Sequence, residues 1–514
     1  MARWRCWALT WIGCAAFGLS LSTYFGSGLQ KSPLSFRYFL SALPTAVTEW
    51  RHIARDGTAS GELSRYFRSH GAQLTDDELR AAFVIPIPAA DDRIVFFQGD
   101  DLGLPRFVEA SFAVFGISLS SPHKLFFLLL GLSTLIFSIT YFTEPIALGL
   151  LTSVLLAIYA FEFVLTESSQ LWTAIDVRFM GVLVIVPCLH LCLAVYAQNW
   201  SSRRAIAAAA QSVMMAALYQ IRSSSGWALL CAVLIGAFAA GSALAHRRSP
   251  RAALRAVVPG LIALAAFLAI TELERAHLAN RFRTEVPAEH LFWHSIHVGF
   301  AVHPDLARDY GLSFDDLPAH RQVFQYLTKT GDKQAVKAVF GGDGSMFDYD
   351  AINWRSYEIA ARGAVMQIVR DHPKQFAETF LYYKPIMFMK TLFWAAGYYR
   401  GPVEVLAMSP TWLKTDIDRR QADAYLRFFR PLAVALYSMA VICMIAGEPT
   451  TSTAGALRHG TLVLVAMFAA ALVPAFLVYP AFHWLGDTLV VFWTLVYATV
   501  ALLIGTARRA LAGA

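Results

Sequence analysis

Stretches of about 20 apolar residues recur along this chain and constrain its fold more than any other feature. A bilayer core about 30 Å thick takes roughly that length of α-helix, at about 1.5 Å per residue. Apolar runs fall at 1–24, 124–142, 146–165, 178–197, 205–220, 227–245, 256–271, 431–446, 460–479 and 486–506. The chain is 57% hydrophobic and only 15% charged over 514 residues, too little charge to cover a soluble surface. The surplus apolar residues must face lipid.

Arginines orient the spans, because cytoplasmic flanks of membrane helices are enriched in positive charge. Arg3/Arg5, Arg203/Arg204, the cluster Arg247, Arg248, Arg251 and Arg255, Arg458, and Arg508/Arg509 all belong inside. About ten crossings with both termini in the cytoplasm satisfy every placement. The net charge of +7 is thereby a membrane flank and not a nucleic-acid surface.

The expected fold is all-α, a polytopic transmembrane bundle carrying two large, mainly helical, extracytoplasmic regions. Residues 1–24 form a first anchor, retained rather than cleaved, and 25–123 the first outer region with juxtamembrane helices. A six-span core follows at 124–271, then a second outer region at 272–430 and a three-span bundle at 431–514. Segment 376–399 is apolar but interrupted by Lys384, Pro385 and Lys390, so it should lie at the interface with its lysines reaching headgroups.

Cys6, Cys14, Cys188, Cys192, Cys231 and Cys443 all sit within apolar spans or at their edges. That placement argues against an extracellular disulfide framework and against a Cys-based zinc site, leaving small lipid- or helix-facing residues. No phosphate-binding Gly-rich loop, dinucleotide fingerprint or nucleophile elbow occurs.

Three groups could carry chemistry. In Gln98–Ala110 the pair Asp100 and Asp101 stands where a helix should start, with Pro105 in its first turn and Arg106 and Glu109 following. Leu104, Phe107, Val108, Phe112 and Phe115 form a stripe at helical spacing, suited to lying on the membrane surface. Here a carboxylate is either a reactive group at the water–lipid boundary or an N-cap in a solvated turn.

Ionisable residues at span ends form the second group: Asp176 and Arg178, then Arg222 ahead of Ser223, Ser224 and Ser225. A guanidinium binds phosphate oxygens bidentately, whether those of a substrate or of headgroups, and Lys384 could do either too. In the third group, His290, His294 and His297 share one helix face. They could make a zinc site with Asp315 or Asp316, or pack as neutral rings. Packing, or binding an acceptor hydroxyl, is the commoner fate, so no metal ligands are assigned. The pattern specifies no cofactor; a divalent metal is compatible with it but not indicated.

At these residues the chain resembles the GT-C superfamily of polytopic membrane glycosyltransferases, in an uncharacterised bacterial branch. Asp100-Asp101…Arg106…Glu109 is similar to the family's first-loop acidic motif, in which an Asp is the catalytic base. Trp293–Gly299 with Gly311…Asp315-Asp316, and His372-Pro373…Phe376…Lys384, resemble further segments of such proteins. The resemblance implies a polyprenyl-phosphate sugar as donor, a glycan, lipid or protein as acceptor, and an active face outside the bacterial inner membrane. It implies Asp100 or Asp101 as base and Arg222, with Lys384, at the leaving phosphate. Arg106, Glu109, Asp176, Arg178, His294 and His297 would bind substrate. About 75 residues separate the first span from the acidic pair, more than the family's pattern, so Glu49, Asp76 and Asp77 are alternative carboxylates. An O-antigen ligase or polymerase, or a non-enzymatic lipid or glycan flippase, are the competing readings; in the ligase, Arg222 and His294 would matter and the acidic pair would not.

Overall fold

The computed structural model describes residues 33–53, 55–71, 74–87, 93–96, 103–144, 146–155, 157–158, 177–197, 200–246, 249–278, 291–313, 316–329, 333–341, 352–394, 451–478 and 486–512. These are all-α apart from one short β-ribbon. Four helices are long and apolar enough to cross a membrane: α5 (Ser121–Thr140), α9 (Gly226–Ala245, whose span starts at Ser223), α10 (Pro250–Ala276) and the Arg458–Leu477 part of α18 (Thr451–Leu477). Shorter apolar stretches are α6 (Ile146–Leu155), Met180–Ala194 and Gly486–Val496.

Four is fewer than the ten crossings expected. Of the rest, 1–24 and 431–446 lie outside the described residues, and three are described only in part as apolar stretches, the last of them opening the 27-residue helix Gly486–Ala512. The remaining one, α8 (Ser202–Ile221), is long enough, but Ala, Ser and Gln dilute its apolarity.

The apolar helices bury one face and leave large side chains on the other. Leu234, Phe238 and Leu244 of α9 and Leu254, Leu261 and Leu268 of α10 are all exposed, a surface that suits lipid and not water. Association therefore rests on close packing of backbones. A Cβ at Gly260 would lie 3.1 Å from Val233 Cα, and one at Gly236 2.9 Å from the Ala256 carbonyl. Inside the bundle Ser133 and Gln211 exchange two hydrogen bonds of 2.8 Å, so neither polar side chain is left unpaired in apolar surroundings. Arg204 pairs with Glu144 at 2.5 Å at one end.

At the other end sits the first polar region. It comprises α1 (Pro33–Trp50), β1 (Thr58–Ser60), α2 (Gly61–His70), α3 (Asp76–Ala81), β2 (Arg93–Phe96) and α4 (Gly103–Phe115). The strands pair antiparallel, Thr58 opposite Phe96. Thr75 and Glu78 form a full capping box on α3. The stripe Leu104, Phe107, Val108 and Phe112 is buried in protein, packed within one core with α1 and α5, with Phe112 edge-on to Phe83. The expectation that it lies on lipid is therefore corrected: neighbouring helices supply the apolar cover.

The second polar region contains α11 (Phe292–Gly299), α12 (Pro304–Tyr310), α13 (Asp316–Lys329), α14 (Lys333–Phe340), α15 (Trp354–Asp371) and α16 (Pro373–Glu378). A π-helical turn, Thr379–Tyr383, then leads into α17 (Lys384–Trp394). Val323, Phe340, Tyr357 and Ala361 make its core. Between the two regions in sequence, a 3₁₀ segment (Val177–Val184) enters α7 (Ile185–Ala194); after the second region, α19 (Gly486–Ala512) packs along α18. Cys188, Cys192 and Cys231, expected as separate small residues, gather into one cluster between α7 and α9.

Gly260→Leu should lower the thermal midpoint of the detergent-solubilised protein, at a cost of about 2 kcal/mol from overpacking. Gly241→Leu, where a Cβ meets nothing within 4 Å, should leave that midpoint nearly unchanged.

Candidate active site

Two polar layers meet where α8 and α10 end and α9 begins. In the first, Glu49 closes α1 and is buried, 4% exposed. Arg106, in the opening turns of α4, brings its Nε to 4.0 Å from the Glu49 carboxylate and pairs through Nη1 with Glu274 near the end of α10. Glu109, three residues on from Arg106, adds a third carboxylate. One guanidinium cannot neutralise three acids. Burial dominates, Arg106 opposes it, and Glu109 and Glu274 reinforce it, so the Glu49 carboxyl is pushed up to about 7.

This layer is locked onto the bundle by contact between backbones. A Cβ at Gly103 would overlap the Gln220 carbonyl and lie 2.7 Å from the Ile221 amide nitrogen, so only glycine lets α4 start there. Gln220 donates to Thr271 at 2.9 Å, and Glu274 stands three residues beyond Thr271, on the same side of α10.

Arg222 heads the second layer. Its extended backbone ends α8, and its side chain is buried. The charge of Asp487, at the start of α19, attracts it. Asp487 also accepts from Trp227 Nε1 at 2.6 Å and from the Thr488 amide at 2.8 Å. A Cβ at Gly181 would lie 3.2 Å from the Asp487 carboxylate and 3.6 Å from Ser225 Oγ, so the 3₁₀ segment closes tightly over this layer. Ser225 also borders an apolar crevice lined by Met215, Tyr219, Leu229, Ala263 and Phe267.

A third polar centre lies in the second region. Glu358 accepts from the amides of Trp293 and His294 at 2.8 and 3.0 Å, capping α11 with a carboxylate. His294 Nε2 is 3.1 Å from the Asp316 carboxylate and Nδ1 is 2.8 Å from the Tyr357 hydroxyl, so the ring bridges the two. Both nitrogens of His294 face protein atoms, one of them the Asp316 carboxylate considered with it above. His320 stacks on His294 at 4.8 Å. His297 is fully buried, its ring nitrogens meet no hydrogen-bond partner among the described residues, and burial pulls it down to about 3.

Lys384 is also buried. Its ammonium donates to the Phe476 and Leu477 carbonyls at 2.5 and 3.1 Å and lies 4.0 Å over the Phe380 ring. It caps the last turn of α18. A Cβ at Gly299 would overlap the Val478 carbonyl and stand 2.8 Å from the Lys384 nitrogen, so α11 abuts the same point.

The structure thus brings Arg106 and Glu109 together, and separately engages Arg222, His294 and Lys384 with protein partners. Asp100, Asp101 and Asp176 lie outside the described residues, as does the side chain of Arg178, whose backbone opens the 3₁₀ segment. Glu274, Asp487, Trp227, Tyr357 and Glu358 were not singled out from sequence. Glu274 and Asp487 had a readable signal, since each is a carboxylate at the end of an apolar run. Compared with protein-family models, curated proteins and solved structures, the chain has no match in any of the three.

The Glu49 carboxyl fixes a pH dependence. Between its ordinary value of 4.5 and about 7, the folded chain holds a proton that the unfolded chain has lost. The contribution of Glu49 to stability should therefore fall as pH rises through that window, by at most about 3 kcal/mol, while the buried neutral His297 contributes a slope of opposite sign below 6.5. The difference in thermal midpoint between wild type and Glu49→Gln, read in detergent between pH 4.5 and 8, should shift against the wild type as pH rises from 4.5 to about 7 and then level off.

Proposed function

We propose that this chain is a GT-C-like membrane glycosyltransferase that moves a sugar from a polyprenyl-phosphate donor to an extracytoplasmic glycan, lipid or protein acceptor. Its setting is a bacterial inner membrane, crossed about ten times with both termini inside. The observation that carries this reading is that α4, whose Arg106 lies beside the buried Glu49 carboxyl poised near neutrality, abuts α8 one residue from the buried Arg222. Nucleotide sugars are cytoplasmic, so an outward-facing site needs a donor delivered by the membrane.

The chemistry follows from those parts. The donor's isoprenoid tail lies along the exposed apolar faces of α9 and α10, and Arg222 receives its phosphate. As the acceptor hydroxyl attacks the anomeric carbon, its proton passes to a carboxylate and the bond from that carbon to the phosphate oxygen breaks. The lipid phosphate departs with the electron pair, and Arg222 stabilises its charge. Asp101 or Asp100 serves as base. Glu49 is the third candidate, because a carboxyl with a pKa near 7 is about half ionised at neutral pH and returns its proton readily. A single base implies inversion at the anomeric carbon. Gly103, two residues after Asp101, is the point at which α4 touches α8, one residue from Arg222.

In inverted or right-side-out membranes supplied with a radiolabelled polyprenyl-phosphate sugar, Arg222→Met should reduce transfer at least 100-fold. Among Asp100→Asn, Asp101→Asn and Glu49→Gln, at least one should abolish transfer with normal membrane insertion. Activity retained in all three carboxamide variants would sink the assignment. Loss confined to Arg222 and His294 variants would favour the ligase or polymerase reading, for which the Tyr357–His294–Asp316 hydrogen-bond chain is the specific support.

A further inference from the structure

Three of the six cysteines converge inside the bundle, at a point the proposed transfer chemistry does not use. Cys188 and Cys192 are four residues apart on α7 and share a face, and Cys231 meets them from α9. The Cys192 sulfur lies 3.9 Å from that of Cys188 and 3.9 Å from that of Cys231, and all three sulfurs lie within 4.8 Å of one another. All three residues are buried free thiols, and Cys188 Sγ also faces the Ala228 carbonyl at 3.6 Å.

These separations are too long for a disulfide, whose sulfurs bond at about 2.05 Å. They suit a shared cation. The circle through the three sulfurs has a radius of no more than about 2.5 Å, close to the metal–sulfur distance of about 2.3 Å found in thiolate sites. A cation would thus fit at or just above the plane of the three sulfurs without moving either helix. No His, Asp or Glu among the described residues completes a four-donor set. Zn(II) in a structural site takes four ligands, whereas soft Cu(I) is selected by sulfur. One thiolate neutralises a monovalent cation, so its burial in apolar surroundings carries no obligatory net charge.

The geometry points to a Cu(I) site formed by Cys188, Cys192 and Cys231, in which the cation displaces one thiol proton to solvent, is held by one thiolate and two neutral thiol sulfurs, and bridges α7 to α9. Cys231 lies four residues beyond Trp227, the residue that holds Asp487, so the bridge braces the helix that carries the Arg222 layer from below.

The test loads the full-length protein, purified in detergent, with Cu(I) under anaerobic conditions in competition with bicinchoninate. One equivalent should be retained, with an X-ray absorption shell of sulfur near 2.3 Å and a raised thermal midpoint. Cys192→Ala and Cys231→Ala, each monodisperse by size exclusion, should lose the equivalent and the midpoint shift; Cys192→Ser and Cys231→Ser provide a second pair if the alanine variants do not fold. No retention against the chelator, equal retention in the variants, or uptake of Zn(II) in place of Cu(I) would overturn the proposal.

Discussion

Arg106 is the interaction on which the arrangement depends. It joins Glu49 at the end of α1 to Glu274 at the end of α10, through a helix that itself begins against α8. Three segments far apart in sequence are thereby held in one plane. Removing a partner from such a cluster leaves charge without compensation in a poorly hydrated place, which costs more than the pair itself contributes. Burial, reinforced by the other two acids, keeps the Glu49 carboxyl close to neutral pH.

The bundle beneath divides its polarity sharply. Along the described membrane helices the polar side chains are few, Ser133 and Gln211 pair with one another, and large apolar groups point outward. The charged groups collect at the helix ends, where Arg222, Asp487, Glu274 and Lys384 find carbonyls, an indole or each other. Lipid explains the pattern: without water, charged and polar groups are costly in the apolar interior and collect where water or protein partners reach them. Reactive groups can then exist only at the boundary, which is where the phosphate and hydroxyl of a membrane-borne donor and an aqueous acceptor would meet.

Much of the helical plan was legible because hydropathy is a local property. The all-α character, the spans at 124–142, 227–245, 256–271 and 460–479, and the polar helices of the first region can each be read from a window of residues. The α4 stripe was legible as a stripe, but its cover was not, since periodicity says that a face is buried without saying by what. Arg106 and Glu109 were found through the motif around them. Their partners Glu49 and Glu274 come from 57 residues before Arg106 and 168 after it, and no spacing rule connects such positions. The sulfur cluster escaped for the same reason, because Cys188 and Cys192 look like core residues until a second helix places Cys231 beside them.

The π-helical turn at Thr379–Tyr383 makes chain length itself a structural variable. A π turn carries one residue more than the α turn it replaces, so everything after it is rotated by about 100° relative to everything before. Lys384 is the first residue to inherit that rotation, and it meets the final carbonyls of α18. A one-residue deletion within the turn would relax it to ordinary helix and swing the ammonium away, stranding those carbonyls. Segment length there is held as tightly as residue identity, and a homologous chain one residue shorter would have to close the end of α18 with a different cation.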